Sequence, residues 1–292
     1  MAILKRLFIW SNEKVSWSKT KSESVQTTKI LEYQIYEAIK SYGFEQNLGE
    51  PCVYKQIGGD KVVFLVLYVG DILLIGNDDL GEASYILGIQ MTRDRKNRLT
   101  ALSRVAYIDK VLVKFAMENS KKGICLLDME FISKATTYAA VGMVSRYRSN
   151  QIRSLGSDQH ILKYLRRTRN YMLVYSGREL IPIGYTDSDF QSDRDSRKST
   201  SGAVFTLGGG AIIWRSVKQT CVADSTMEAE YVAACEAAKE AVWLREFLKE
   251  LEVVPNMHEP IRLYCDNSGA VANAKEPRNH RKGKHIERKF HR

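Results

Sequence analysis

The chain has 292 residues, of which 44% are hydrophobic, and this content is sufficient for one large or two modest folded domains. Its formal net charge of +10 favours an anionic partner such as nucleic acid. No segment approaches the roughly 18 consecutive apolar residues of a membrane helix, no signal peptide is recognisable, and the five scattered cysteines lack zinc-binding spacing. We therefore expect an intracellular protein, cytoplasmic or nuclear and not secreted, with reduced thiols and no membrane partner.

The N-terminal third predicts a helix followed by a hairpin. Residues 1–30 are polar and weakly periodic, and no structure or role is assigned to them. Residues 30–42 have apolar side chains at helical spacing, and Gly43 is typical of a C-terminal helix cap. From residue 61, two β-branched apolar runs flank Gly70 and Asp71, which predicts a buried hairpin with one acid at its turn.

The C-terminal half has the clearest pattern of elements. From Ile181 onward the chain predicts the order strand, strand, strand, helix, strand, helix, with a hairpin turn at residues 208–210. Asp187 ends the first apolar run, Glu230 lies near the start of the helix, and Asp266 ends the last apolar run. Three carboxylates at the ends of elements within one domain are what a divalent metal site needs.

The predicted helix distinguishes two glutamates. Ser225 and Glu228 have the spacing of a capping box, so Glu228 has a structural role. Glu230 lies about 200° further around the helix, on its most apolar stripe, where a buried acid is costly unless a positive group meets it. Metal binding or catalysis is favoured for Glu230, and the alternative is a first-turn acid that complements the helix dipole. The stripe comprises Ala233, Ala234, Ala237, Ala241, Leu244 and Leu248.

Three neighbouring residues are expected to be uninvolved. Cys265 should point to the opposite side of its strand from Asp266, because side chains alternate along a strand. Asp189 and Asp193 are interpreted as turn and surface acids.

Several motifs resemble the ribonuclease H domain of copia-type retrotransposon polyproteins, from about residue 161 to the C-terminus. They are GYTDSDF, DSRKSTSGAVFTLGGGAIIW, VADSTMEAEYVAACEAAKEAVWLR, LYCDNSGAVANAKEP and KHIERKFHR. The resemblance implies that Asp187, Glu230 and Asp266 bind catalytic metal, with Glu287 as a fourth acid where the family usually has aspartate. It implies Mg²⁺ or Mn²⁺, because carboxylates suit hard cations, and two ions about 4 Å apart that promote cleavage of the RNA strand of an RNA/DNA hybrid. The family continues beyond KFH, so the last helix is expected to be cut short.

Residues 38–78 resemble the reverse transcriptase palm of the same polyproteins. The family has YVDD at its hairpin turn, whereas this chain has YVGD, so Gly70 replaces the metal-binding aspartate and Asp71 is left alone. Two-metal polymerisation needs several carboxylates, and polymerase activity is therefore predicted to be lost.

Two basic clusters are candidate nucleic-acid contacts, with a solvated, non-functional end as the alternative for the second. One lies in KYLRRTR and the other in the C-terminal tail. The residues are Lys163, Arg166, Arg167, Arg281, Lys282 and Lys284.

The sequence thus predicts an α/β protein in four parts: residues 1–30, a palm and thumb remnant at 31–125, a degenerate connection at 126–155, and a ribonuclease H-like domain with a mixed sheet and flanking helices at 156–292. Two functions are favoured equally: metal-dependent cleavage of RNA in RNA/DNA hybrids, and an inactive transposon relic. The third alternative is a non-enzymatic basic nucleic-acid-binding protein. Expected partners are RNA/DNA hybrid or other nucleic acid and other parts of the polyprotein.

Overall fold

Three four-stranded sheets make up the strand structure of the residues described in this computed structural model. Those residues are 36–59, 61–68, 71–76, 84–86, 88–121, 155–193 and 195–275. The chain divides into two compact units, residues 1–82 with 246–253, and residues 83–245 with 254–292. The domain borders suggested by the sequence stay a prediction.

The first unit contains an antiparallel sheet with the order β1-β2-β3-β4. Residues 36–41 are helical, and Gly43 follows with φ +82, a left-handed conformation that suits glycine at the end of a helix. The predicted helix is therefore confirmed over residues 36–41, and residues 30–35 lie outside the described residues. The antiparallel pairing of residues 64–68 with residues 71–75 confirms the predicted hairpin. The strands are β1 (Glu45–Gln46), β2 (Val53–Gly58), β3 (Lys61–Tyr68) and β4 (Asp71–Ile75).

Burial in this unit is less complete than the apolar runs predict. Leu65 of β3 is buried with Ile39 and Tyr54 in one cluster. In β4, by contrast, Leu74 and Ile75 are 45% and 44% exposed. The hairpin is therefore buried at Leu65 and Val66 of its first strand, whereas Leu74 and Ile75 of its second strand are exposed, since β4 is the last strand of the sheet.

The second unit begins with an antiparallel sheet of order β5-β6-β7-β8. Its fourth strand comes from much later in the chain than the other three. Among the residues described between β7 and β8, two segments are helical, and Arg169, just after the second helix, forms a salt bridge with Asp109 of the first. The elements are β5 (Tyr85–Ile86), β6 (Ile89–Asp94), β7 (Leu99–Ser103), α1 (Val105–Lys114), α2 (Leu155–Thr168) and β8 (Met172–Ser176).

The last sheet has the order β11-β10-β9-β12. Three strands form an antiparallel meander, and β12 then joins β9 in parallel after a long crossover helix. The predicted order of elements is confirmed, and the fold is mixed α/β. The elements are β9 (Ile183–Asp189), β10 (Thr200–Leu207), β11 (Gly210–Lys218), α3 (Thr226–Leu251), β12 (Arg262–Cys265) and α4 (Ser268–Lys275).

The apolar stripe of α3 is buried as predicted. Ala233 and Ala237 line a narrow cleft together with Ser201 and Ala203 of β10, so this side of the helix faces the sheet. The core between this sheet and α3 consists of alternate residues of β10 and of every third or fourth residue of α3. The buried stripe residues are Glu230, Ala233, Ala237, Ala241, Leu244 and Leu248, whereas Ala234 is half-buried.

The predicted glycine turn connects β10 and β11. Gly208 and Gly209 have φ values of +57 and +80, which only glycine adopts without strain. The Ser176 N–H donates a hydrogen bond to the Gly208 carbonyl at 2.7 Å, so β8 packs directly against this turn. Among the helices of the described residues, none is long and apolar enough to cross a membrane.

Candidate functional site

Asp187 and Asp266 are brought together by the parallel pairing of β9 and β12. Cys265 is the register partner of Thr186, so the next residues along both strands are Asp187 and Asp266. Neighbouring strands lie about 4.8 Å apart, which places the two acids side by side at one edge of the sheet. Asn267 then accepts the Ala270 N–H at 2.9 Å and starts α4, which turns the chain away directly after Asp266.

Glu230 reaches this edge from α3. The backbone N–H of Ser188 lies 2.9 Å from Glu230 Oε1 and 2.8 Å from Asp187 Oδ1. One donor is therefore shared between the two carboxylates, which holds the helix acid against the strand acid. Glu230 is 7% exposed, so its carboxyl group is almost completely removed from water.

This burial changes the acidity of Glu230. Loss of hydration raises the pKa of Glu230 to about 7, and the nearby negative charges of Asp187 and Asp266 add to the effect. The hydrogen bond from the Ser188 N–H acts in the opposite direction because it stabilises the ionised form. A buried carboxyl group beside two other acids needs a cation or a proton, and no lysine or arginine is among the influences on its pKa.

Cys265 corrects one expectation from the sequence. Its Sγ lies 3.9 Å from Glu230 Oε2, and the ligand atoms of Glu230, Cys265 and Asp266 are all within 4.8 Å of one another. The thiol therefore lies on the same side as the acids. Strand alternation fails here because β12 ends at Cys265, and Asp266 already belongs to the turn before α4.

The donor atoms of this site decide which kind of metal ion it suits. Burial raises the pKa of the Cys265 thiol, and the charges of Glu230, Asp266 and Asp187 raise it further, so the neutral thiol is favoured. The anionic donors are then carboxylate oxygens, which suit Mg²⁺ or Mn²⁺ better than Zn²⁺. Glu230 and Asp266 belong to the group of ligand atoms within 4.8 Å of one another, whereas Asp187 is outside that group and shares the Ser188 N–H with Glu230. These residues fit a hard divalent cation.

The start of α3 confirms the capping role of Ser225 and Glu228. Ser225 Oγ accepts the Glu228 N–H at 3.2 Å, and Glu228 Oε2 accepts the Asp224 N–H at 2.9 Å. The carboxylate reaches one residue further back than a standard capping box requires. Glu228 is thus engaged in holding the helix start, which leaves Glu230 as the acid of the site.

Two further acids near the site have the structural roles expected of them. Asp189 Oδ1 accepts the Thr200 N–H at 2.7 Å and ties the end of β9 to the start of β10. Asp193 accepts hydrogen bonds from Ser196 and forms a salt bridge with Lys218. Both are turn acids.

Sequence reasoning missed Ser188 and Gln219. Ser188 contributes through its backbone N–H, which has no signature in the sequence. Gln219 is 1% exposed and its carboxamide contacts residues next to Asp187 and Glu230. A glutamine that follows a strand has no feature in the sequence that marks it as part of a site. Only its near-complete burial in the structure identifies Gln219.

Only some of the residues predicted to contact nucleic acid are among the described residues. Lys163 and Arg166 are half-buried on α2, and Arg167 is exposed. Arg169 of the same motif is engaged by Asp109, which lowers the pKa of that aspartate through the hydrogen bond. Arg281, Lys282, Lys284 and the predicted fourth acid Glu287 lie outside the described residues.

The remnant of the polymerase turn is also described only in part. Asp71 begins β4 and pairs with Tyr68 across the hairpin. Val69 and Gly70, between them, lie outside the described residues.

Curated relatives match the chain over most of its length. The retrovirus-related Pol polyprotein from transposon TNT 1-94 of Nicotiana tabacum is 34% identical, over 87% of this chain and 23% of the relative. The retrovirus-related Pol polyprotein from transposon RE1 of Arabidopsis thaliana is 28% identical, over 88% of this chain and 21% of the relative. The chain therefore spans less than a quarter of the length of these two relatives.

A shorter match has higher identity. Secreted RxLR effector protein 161 of Plasmopara viticola is 40% identical over 115 residues, which are 39% of this chain and 81% of that protein. No protein-family model matches the chain, and no solved structure matches it. Among these three relatives, the polyproteins account for most of the chain.

Proposed function

Since the chain belongs to the copia-type retrotransposon Pol polyproteins, we propose that residues 156–292 act as a ribonuclease H-type endonuclease. It would cut the RNA strand of an RNA/DNA hybrid with the help of Mg²⁺ or Mn²⁺. The observation that carries this proposal is the convergence of Asp187, Glu230 and Asp266, from two strands and one helix, at one edge of a sheet.

The topology supports the same proposal. A meander of three antiparallel strands, a crossover helix and a fourth strand parallel to the first give the order β11-β10-β9-β12. A mixed sheet of this order supports the ribonuclease H-like arrangement that the resemblance implies. The acids lie where the first and fourth strands end, and ligand sites in sheets with parallel pairs favour such edges.

The residues of the site have different proposed roles. Glu230, Asp187 and Asp266 would hold the metal, and the Ser188 N–H keeps the first two in contact. A bound divalent ion activates water and stabilises the departing oxygen in phosphodiester hydrolysis. Binding requires Glu230 to give up its proton, so a neutral or alkaline pH favours the loaded site.

The substrate class follows from the reaction proposed. An RNA/DNA hybrid differs from duplex DNA by its 2′-hydroxyl groups, which a protein can contact in the wide minor groove. Basic residues of α2 would add sequence-independent phosphate contacts. Other parts of a Pol polyprotein are proposed partners, with an intracellular location in the cytoplasm or nucleus. Polymerase activity is proposed to be absent because Gly70 replaces an aspartate of YVDD.

The proposal is tested by incubating the full chain with a labelled RNA/DNA hybrid and Mg²⁺. Wild type should cleave the RNA strand, and Glu230→Gln should reduce the rate at least about 100-fold, because it removes a charged ligand. Glu228→Gln is the matched control: it changes the same residue type two positions away, at the cap, and should retain cleavage.

The outcomes separate the candidates. Equal cleavage by wild type and Glu230→Gln would contradict the assignment of this site. A folded wild-type chain without cleavage would contradict the enzyme and favour the second candidate, a basic protein that binds nucleic acid without catalysis. The net charge of +10 is the observation that favours this second candidate, and it predicts hybrid binding that does not depend on Mg²⁺.

A further inference from the structure

Gln219 is a buried polar residue directly behind the candidate site. It follows β11, is 1% exposed, and its backbone N–H donates to the Ser199 carbonyl at 2.8 Å. The backbone of this residue is therefore fixed between β10 and β11, before the chain turns toward α3. The orientation of its carboxamide is then decided by the groups around it.

Those groups determine which end of the carboxamide faces the helix. Nε2 lies 2.8 Å from the Ala229 carbonyl oxygen, which can only accept hydrogen bonds. The nitrogen must therefore face Ala229. The same nitrogen lies 3.0 Å from Ser201 Oγ and 3.3 Å from Ser188 Oγ. One amide group thus contacts β9, β10 and the first turn of α3.

Two of these three partners are immediate neighbours of the carboxylates. Ala229 precedes Glu230, and Ser188 follows Asp187. Ser188 is bound from both ends, because its Oγ contacts Gln219 while its N–H donates to Asp187 and Glu230. A continuous path of hydrogen bonds therefore runs from Gln219 to both acids.

Stability alone does not explain an amide at this position. Gln219 Oε1 has no hydrogen-bond partner among the described residues, and a buried unpaired oxygen destabilises a fold. Methionine has a similar shape and carries no such penalty. The amide contributes what methionine cannot, which is a directional link between the strand that carries Asp187 and the helix that carries Glu230.

We propose that Gln219 is a positioning residue that sets the separation of Asp187 and Glu230 and thereby the affinity of the site for a divalent cation. The inference rests on the proposed function insofar as a cation binds to these carboxylates. Groups that orient metal ligands typically change metal affinity by about 10- to 100-fold when they are removed.

The test is Mn²⁺ binding to the full chain, followed by the decrease in the electron paramagnetic resonance signal of free Mn²⁺. Gln219→Met should raise the dissociation constant about 10-fold. Gln191→Met is the matched control. The Gln191 side chain donates a hydrogen bond from Nε2 to the Ala223 carbonyl at 3.4 Å, and not to Ser188 or Ala229. This variant should bind Mn²⁺ as wild type does. Glu230→Gln identifies the signal as binding at this site.

A second variant covers the case in which Gln219→Met does not fold. Ser188→Ala removes the hydroxyl that Gln219 contacts but keeps the N–H that holds both acids. It should also weaken Mn²⁺ binding, and where both variants fold, their effects should be less than additive because they interrupt one path.

Equal Mn²⁺ affinity of wild type, Gln219→Met and Ser188→Ala would overturn the role of Gln219 and leave the nuclease proposal intact. Absence of Mn²⁺ binding by wild type would overturn both. Weaker binding that is equally severe in Gln191→Met would also overturn the inference, since the effect would then be a general disturbance of packing.

Discussion

Glu230 combines two features that are rarely compatible in a stable fold, burial and close acidic neighbours. Its pKa is raised to about 7, so it holds a proton up to that pH, whereas an ordinary glutamate has a pKa of 4.5. Between these values the folded chain binds more protons than the unfolded chain. The free energy of unfolding therefore falls as the pH rises through this range, and the decrease is complete above about pH 7.

At the residue scale, we expect Glu230→Gln to stabilise the protein in the absence of divalent cations. Each pKa unit corresponds to about 1.4 kcal/mol, so at about pH 8 the gain should be on the order of 3–3.5 kcal/mol. The gain should vanish near pH 4.5, where wild type is also protonated. Urea denaturation in EDTA at both pH values measures it.

The control for this measurement is Glu228→Gln. Because that carboxylate is hydrogen-bonded at the helix start, removing it should destabilise the protein by about 0.5–1 kcal/mol instead of stabilising it. A Glu230→Gln variant that is no more stable than wild type at mildly alkaline pH would show that the ionised Glu230 carboxylate does not destabilise the fold.

At the element scale, the β10–β11 turn is constrained more tightly than a generic glycine turn. Gly208 has a positive φ, and a Cβ added to it would lie 2.3 Å from the Ser176 carbonyl oxygen, a backbone atom that cannot move aside without shifting β8. Gly209 also has a positive φ, but a Cβ there would meet nothing within 4 Å. A substitution at Gly209 therefore tests backbone strain alone, whereas a substitution at Gly208 tests backbone strain together with the steric conflict with β8.

We expect Gly208→Ala to reduce the free energy of unfolding by about 3 kcal/mol, the sum of backbone strain and displacement of β8. Gly209→Ala should cost only the strain, about 1 kcal/mol. Chemical denaturation of the three proteins under one condition measures both. Equal destabilisation of the two variants would mean that β8 does not constrain the turn.

At the scale of the whole molecule, the excess of basic residues predicts a strong dependence of nucleic-acid binding on salt. Arg166 and Arg167 follow one another on α2, and Arg167 is exposed. Arg169, three residues after Arg166, is already paired with Asp109 and is less available for phosphate. The part of this basic motif that phosphate can reach is thus narrower than the sequence suggests.

We expect the double variant Arg166→Gln/Arg167→Gln to bind an RNA/DNA hybrid more weakly and with a shallower dependence on salt. For each phosphate that the variant no longer neutralises, the slope of log K against log salt should decrease by somewhat less than about one unit. Lys239→Gln/Lys249→Gln changes the net charge equally on α3 and serves as control. Fluorescence anisotropy over a salt series measures both, and identical slopes would exclude α2 as the element that contacts phosphate.

Much of the fold follows from local patterns in the sequence. The order of elements in the last sheet, the turn at Gly208 and Gly209, and the buried stripe of α3 all come from periodicity and turn chemistry, which act over a few residues. The same patterns identified Asp187, Glu230 and Asp266 as acids at element ends. Their positions predicted a divalent metal site, and the resemblance to a family supplied the reaction expected there.

The tertiary structure decided how those acids meet. Parallel pairing of β12 with β9 aligns segments that are far apart in the chain, and its register places Asp266 beside Asp187. The direction of Cys265, the shared Ser188 N–H and the path through Gln219 depend on that register and on where α3 lies against the sheet. A sequence pattern specifies which residues form a strand or helix. It does not specify the partner strand or its register, because those are fixed by packing between distant segments.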